Sequence, residues 1–156
     1  MQKAPLPGGL VRCDGPAMRI RPATAADIPA MHRIRLAVRE NPLPAAAGID
    51  EASYLPFLAA TWVAEAEGAV AGFAALDLAR ASVWALFVHP TAERRGIGRA
   101  LHRALLQGAA ERGLQQLSLS TASDTRAERF YRTNGWQQAG LSAAGELRFE
   151  RALTTS

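Results

Sequence analysis

The stretch from Val83 to Leu101, VWALFVHPTAERRGIGRAL, constrains this chain more than any other. A short apolar run stops at His89-Pro90, an Arg94-Arg95-Gly96-Ile97-Gly98 turn follows, and a helix-compatible segment opens after it. Strand, glycine turn and helix N-terminus in that order present several unpaired backbone N–H groups at one point, which suits a pyrophosphate. If the turn holds a phosphate-bearing group, the rest of the chain should contain a way to use it.

The 156 residues suffice for one domain with a substantial core and are too few for two ordinary ones. An apolar share of 49% and a charged share of 21% are globular rather than disordered. No apolar run approaches the roughly 20 residues of a membrane span. Met1–Ala17 holds three prolines and three glycines and lacks an apolar signal region, so residues 1–17 read as a flexible leader and residues 18–156 as one domain. Cys13 is the only cysteine, which rules out an intramolecular disulfide and points to a reducing, cytoplasmic setting. The net charge of +4 comes from scattered arginines, Lys3 being the one lysine, and reads as solvated helix faces rather than a nucleic-acid surface. Neither a nucleic acid nor a membrane is an expected partner.

Along the chain, Met18–Pro22 reads as a first strand, and Asp27 caps a helix running through Glu40, since Pro29 fits only in a first turn. Ile28, Met31, Ile34 or Arg35, and Val38 form its apolar stripe, with core packing as their expected role. Asn41-Pro42-Leu43-Pro44 breaks it, and Glu51–Ala60 suggests a second short helix. Thr61–Glu65 and Val70–Asp77 are strands joined at Glu67-Gly68, and Ser82–Val88 is the strand before the glycine turn. Gly98–Arg112 is helical, Leu114–Ser120 a strand, and Thr125–Asn134 a helix stopped by Gly135. Trp136–Ala139 and Glu146–Leu153 close the chain as strands. This succession implies an α/β fold whose sheet has antiparallel hairpins in its first half and one helical crossover later.

Two glycines more often mark an ordinary tight turn, but here they lie between strand and helix with Arg94, Arg95 and Arg99 around them. A dinucleotide fingerprint would need a third glycine where Leu101 stands and an acid on the next strand, and Leu114–Ser120 has none. A nucleoside-triphosphate loop would need Gly-Lys-Ser/Thr, and the region has no lysine. Both ligand classes are disfavoured. His32 and His102 lie on helices without a spaced partner, so no metal site is expected.

Phe87-Val88-His89-Pro90 followed by Arg94-Arg95-Gly96-Ile97-Gly98-Arg99-Ala100-Leu101 resembles the acetyl-coenzyme A motif of the GNAT superfamily of N-acetyltransferases. About thirty residues later, Ala127-Glu128-Arg129-Phe130-Tyr131 with Asn134-Gly135-Trp136 resembles a second segment of that family, and Ile20-Arg21-Pro22-Ala23-Thr24 with Asp27 its usual start. The resemblance covers Met18 to Leu153. It implies a mixed, mostly antiparallel sheet of six to seven strands flanked by helices, and transfer of the acetyl group of acetyl-CoA to a primary amine of a small molecule or peptide. A non-catalytic acyl-CoA-binding or sensor module on the same fold is the alternative. Similar proteins are often homodimers; the sequence itself leaves the oligomeric state open.

Residue by residue, the resemblance implies that backbone N–H groups from Arg95 through Gly96, Ile97, Gly98 and Arg99 to Ala100 cradle the pyrophosphate, with Arg94 as a nearby cation. Leu86, Phe87 and Val88 would offer strand-end amides to the pantetheine arm, Val88 N–H being the best support for the thioester oxygen. Two positions depart from the family pattern: Glu93 stands where Gln or Arg is usual, and Asp124 where Asn contacts pantetheine. Tyr131 is implied as general acid, although an aromatic pair packed on the sheet would explain Phe130-Tyr131 equally. Glu40 is the candidate base, with Glu65, Asp77 and His89 as further possibilities. Arg39, Tyr54, Glu146 and Arg148 are expected around the acceptor, where arginine would suit a carboxylate-bearing amine.

Overall fold

A computed structural model describes residues 10–11, 18–38, 50–93 and 95–153. Its strands are β1 (Leu10–Val11), β2 (Met18–Pro22), β3 (Thr61–Ala66), β4 (Ala69–Asp77), β5 (Ser82–Val88), β6 (Gln116–Thr121), β7 (Gln137–Leu141) and β8 (Leu147–Ala152). They form one sheet in the order β1-β2-β3-β4-β5-β6-β8-β7, with β5 and β6 the parallel pair and every other neighbour antiparallel. Seven of these strands are those read from the sequence. The additional β1 pairs Leu10 with Arg19 and Val11 with Met18, inside the segment expected as leader.

Helix α1 (Ile28–Ala37) follows a 3-10 turn, Ala25–Asp27. Asp27 accepts from Thr24 N–H at 2.7 Å, and Arg21 of β2 donates to both Asp27 oxygens at 2.8 Å and to Glu65 of β3 at 3.1 Å. These bonds pin the helix entry to two strands, and the Arg21 guanidinium holds the Asp27 carboxyl below the usual carboxylate range. The helix ends at Ala37 with Val38 extended, three residues short of the expected end. Arg39, Glu40 and the proline break lie outside the described residues. The expected second helix, Glu51–Ala60, is a 3-10 helix. Pro56 within it has no amide hydrogen to give an α-helical ladder.

Helices α2 (Ile97–Glu111) and α3 (Arg126–Thr133) complete the described helices. Side chains on α2, Ile97, Leu101 and Leu105, pack with Leu76, Leu117 and Phe149 in one core. A second core joins Ile28, Met31 and Ile34 of α1 to Tyr54, Val63 and Phe73. The α2 seating depends on Gly72 of β4: a Cβ there would lie 2.9 Å from the Phe87 carbonyl oxygen, 3.0 Å from Leu101 Cδ1 and 3.2 Å from Ile97 Cγ2. Only a residue without a side chain lets the start of α2 rest that closely on the sheet.

Two irregularities mark β5. Its pairing with β4 shifts register between Ala75 and Leu76, leaving Trp84 as the extra residue, a β-bulge. Trp84 and Ala85 consequently both join the α1-side core, while Val83, Leu86 and Val88 pack on the α2 side. On its other edge, β5 meets β6 in a single register pair, Ser82 with Ser118, supported by Ser118 N–H to Ala81 O at 3.0 Å. Beyond it no further β5–β6 pair forms among the described residues.

Candidate active site

The unpaired edges of β5 and β6 border a cavity of about 1090 Å³. Leu86, Phe87 and Val88 line it from β5, Ser120 and Thr121 from β6, Gly96 to Arg99 from the glycine turn, and Arg126, Phe130 and Tyr131 from α3. His89 N–H reaches Ala71 O at 2.8 Å, so strand alternation turns the amides of Leu86 and Val88 away from β4 and toward this gap. The bulge lies at Trp84, and the same alternation turns the Phe87 N–H toward β4, which removes Phe87 from the expected amide donors and leaves Leu86 and Val88.

Gly96 caps α2 in the left-handed conformation, φ 80° and ψ 7°, which a side chain would strain. The Ala100 N–H donates to Gly96 O at 3.1 Å, so the unpaired helix-start amides are those of Ile97, Gly98 and Arg99. That removes Ala100 from the expected cradle: its amide is the first committed to the helix, and it does not line the cavity. The Arg95 side chain pairs with Glu67 of the β3–β4 turn at 3.7 Å. Arg94 lies outside the described residues.

Tyr131 is 7% exposed, and burial pushes its phenol well above the ordinary tyrosine value, so the hydroxyl stays protonated. Its ring meets Phe130 and Trp136 edge-on, both with centroids 5.4 Å away. Trp136 Nε1 donates to Nε2 of the buried His102 at 2.9 Å. Desolvation, with the Arg151 charge adding to it, lowers His102 to about 4, so it is a neutral acceptor that fixes Trp136 behind the tyrosine.

In the cavity lining, Arg126 donates to both Glu93 oxygens, at 2.5 and 2.7 Å. On the α1 side, the Arg35 guanidinium carbon lies 4.8 Å from the Trp84 ring centroid and 5.1 Å from that of Phe87, and Arg35 also lines the cavity. Phe57 stacks on Trp84 at 4.2 Å, and Tyr54 meets it edge-on at 5.2 Å.

The other sequence-derived candidates separate clearly. Glu146 lines the cavity from the β7–β8 turn. Tyr54 is buried beneath Trp84, where burial raises its phenol against the opposing charge and hydrogen bond of Arg35, and its hydroxyl lies 3.0 Å from His32 Nδ1. Arg148 pairs with Glu150 at 3.4 Å, and Asp124, at φ 60°, donates its N–H to Glu128 at 2.7 Å without reaching the cavity lining. Asp77 caps Arg80, Glu65 is held by Arg21, and His89 accepts from Thr91 N–H at 3.1 Å, so these three serve local structure. The sequence reading missed Arg35 and Arg126. Arg35 was absorbed into the apolar stripe of α1, and Arg126 had no signal short of its pairing across the fold.

A sheet parted between two parallel strands, with a helix N-terminus aimed into the parting, defines an acyltransferase-type α/β protein. The sequence model of the acetyltransferase (GNAT) domain matches residues 58–138, just over half of the chain. The chain belongs to the GNAT acetyltransferase family. Among solved structures it is similar to N-acetylglutamate synthase from Neisseria gonorrhoeae complexed with coenzyme A and N-acetyl-glutamate, at TM-score 0.71 and 20% identity over 88% of this chain and 35% of that one. It is similar also to the ribosomal-protein-S18-alanine N-acetyltransferase from Escherichia coli, at 0.69 and 22% over 89% and 96% of the two chains. The PaiA N-acetyltransferase from Thermoplasma acidophilum in complex with coenzyme A gives 0.69 and 18% over 86% and 98%. These likenesses establish the shared fold. No curated protein matches the sequence. No described helix is long and apolar enough to cross a membrane.

Proposed function

We propose that this chain transfers the acetyl group of acetyl-CoA to a primary amine of a small molecule or peptide by direct attack. The observation that carries the reading is the convergence, in one cavity, of the β5–β6 parting, the first turn of α2 and the Tyr131 side chain. Its chemistry suits coenzyme A: unpaired amides at a positive helix end for pyrophosphate, and a strand edge with amides for an extended, amide-bearing arm. Bound acetyl-CoA supplies the activated thioester.

Ile97, Gly98 and Arg99 donate backbone N–H groups to the pyrophosphate, with the Arg99 side chain, which also lines the cavity, adding charge. Leu86 and Val88 N–H groups hold the arm, and Val88 N–H supports the thioester oxygen as negative charge develops there. The amine nitrogen bonds to the acetyl carbon as the carbon–sulfur bond breaks. Tyr131 then gives its hydroxyl proton to the departing sulfur, and Glu146 takes the surplus proton from the amine. Exchange with solvent resets both groups.

Thermal unfolding with and without acetyl-CoA, followed by thiol release against amino acids, polyamines, aminoglycosides and peptides, tests this. A melting point that rises with millimolar acetyl-CoA, and thiol release that Tyr131→Phe suppresses, are the expected results. No thermal shift overturns the reading. A shift without thiol release from any amine makes the chain an acyl-CoA-binding module instead.

A further inference from the structure

We propose that His102 is a positioning residue for the transfer: by holding the Trp136 indole, it fixes the Tyr131 ring where its hydroxyl serves as proton donor. The inference rests on the acetyl-transfer reading above and adds to it a residue that does not itself line the cavity.

The contacts begin with the end of α3. Gly135, at φ 91°, turns the chain back so that the Trp136 N–H donates to Tyr131 O at 3.0 Å. A left-handed glycine caps a helix in this way, and the cap brings together the side chains at the two ends of that bond. Here the rings of Trp136 and Tyr131 meet with centroids 5.4 Å apart at an interplanar angle of 69°. The backbone therefore sets Trp136 against Tyr131. It does not set which way the indole faces.

That choice is made from α2. His102 and Trp136 are both buried, and the indole Nε1–H donates to His102 Nε2 at 2.9 Å. An indole nitrogen can only donate, so Nε2 is the bare nitrogen of the imidazole and Nδ1 carries the proton. Turning the indole away would leave a desolvated N–H without a partner, which gives the ring one favoured orientation. The imidazole also closes the cluster, edge-on to Phe130 at 5.4 Å and tilted to Tyr131 at 6.5 Å.

The bond matters because α3 is short. Its eight residues are too few to stand without tertiary contacts, and Tyr131 lies in its last turn. The helix that carries His102 also presents the unpaired amides of Ile97, Gly98 and Arg99. Through Trp136, the proton donor is thus tied to the same element that receives the pyrophosphate. A phenol protonates a departing sulfur only within hydrogen-bond reach, and a small displacement removes it. Loss of the His102 bond should slow the step without loosening the coenzyme.

The test compares His102→Leu, which removes the acceptor, with His102→Gln, which supplies another, each alone and combined with Tyr131→Phe. Three quantities are read: kcat for thiol release with the best amine, the calorimetric Kd of acetyl-CoA, and the Trp136 indole N–H resonance. His102→Leu should move the resonance and lower kcat at least tenfold, with Kd changed less than twofold. His102→Gln should stay within threefold of wild type in kcat. In the Tyr131→Phe background His102→Leu should cost less than twofold, because the ring it steadies no longer carries a proton. Trp136→Phe keeps a ring against Tyr131 without an N–H for His102; it should match His102→Leu, and it carries the comparison if the leucine variant fails to fold. Full kcat in His102→Leu, a glutamine variant as slow as the leucine one, or a tenfold loss that persists without the Tyr131 hydroxyl would each overturn the role. A wild type that binds no acetyl-CoA, or releases no thiol with any amine, would overturn the reading beneath it and this role with it.

Discussion

The guanidinium of Arg126 grips the carboxylate of Glu93 with two parallel hydrogen bonds, 2.5 and 2.7 Å, joining the loop before the glycine turn to the first residue of α3. Both residues line the cavity. An anion there opposes a phosphate unless a cation covers it, and Arg126 does so.

Replacing Glu93 with Gln removes that anion from the ligand's surroundings. Exposed pairs of this kind are worth about 0.2–1 kcal/mol, so coenzyme A affinity should rise by about 1.4- to fivefold, and Arg126→Ala should lower it. Titration calorimetry at low and high salt checks this. A weaker affinity in Glu93→Gln would show that the carboxylate helps binding, and an unchanged one that it stands apart from the ligand.

Tyr131→Phe tests the proton donor. Burial keeps the phenol protonated, so its ionisation should impose no alkaline limb on the rate between pH 6 and the ordinary tyrosine value of about 10. The variant should lose about 10²-fold in kcat with acetyl-CoA affinity changed less than twofold. Single-turnover kinetics alongside calorimetry separates the two. Equal kcat in variant and wild type would return Tyr131 to a packing role.

His102 predicts how stability depends on pH. Its folded-state value of about 4 lies below the unfolded value of about 6.5, so below pH 6.5 the unfolded chain takes up a proton that the folded one refuses. The stability supplied by this group is complete above pH 6.5 and drains away between 6.5 and 4, by up to roughly 3 kcal/mol. Urea midpoints at pH 7 and 4.5 should differ less in His102→Gln, which keeps an acceptor for Trp136 but does not titrate. Identical pH slopes in the two proteins would exclude His102 as the source.

At Gly72, a valine must push α2 off β4, because the Phe87 carbonyl oxygen and two α2 side chains occupy the space. Overpacking of this kind costs about 1–3 kcal/mol, or a melting point lower by several degrees. Since the same helix start carries the unpaired amides, coenzyme A affinity should fall with it. Scanning calorimetry with and without coenzyme measures both.

The glycine turn and the succession of strands were legible because each has a local signature: Gly96 where the backbone is left-handed, and alternation broken by turns. The bulge at Trp84 was not. Every residue from Val83 to Val88 is apolar, so no polar position marks where two successive side chains share a face. Arg35 was hidden for a related reason, since its helical spacing placed it among core residues while its charge belonged to the cavity. Ala100 sits in a motif position, but an α-helical bond claims its amide; the Arg95 side chain goes to a turn carboxylate, and Asp124 lies outside the cavity lining. Such claims depend on partners distant in sequence or on the chain's exact path. Arg126 with Glu93, 33 residues apart, is the same case in reverse.

The lone rung at Ser82 and Ser118 leaves the eight strands as a block of five and a block of three, stitched at one point. The seam runs through the middle of the sheet, where most proteins place their most slowly exchanging amides. An occupant that bonds to both exposed edges supplies the missing stitches and becomes a structural member as well as a reactant. Resistance of this chain to proteases would then track the supply of its acyl donor, rising when the seam is filled and falling as the donor is spent.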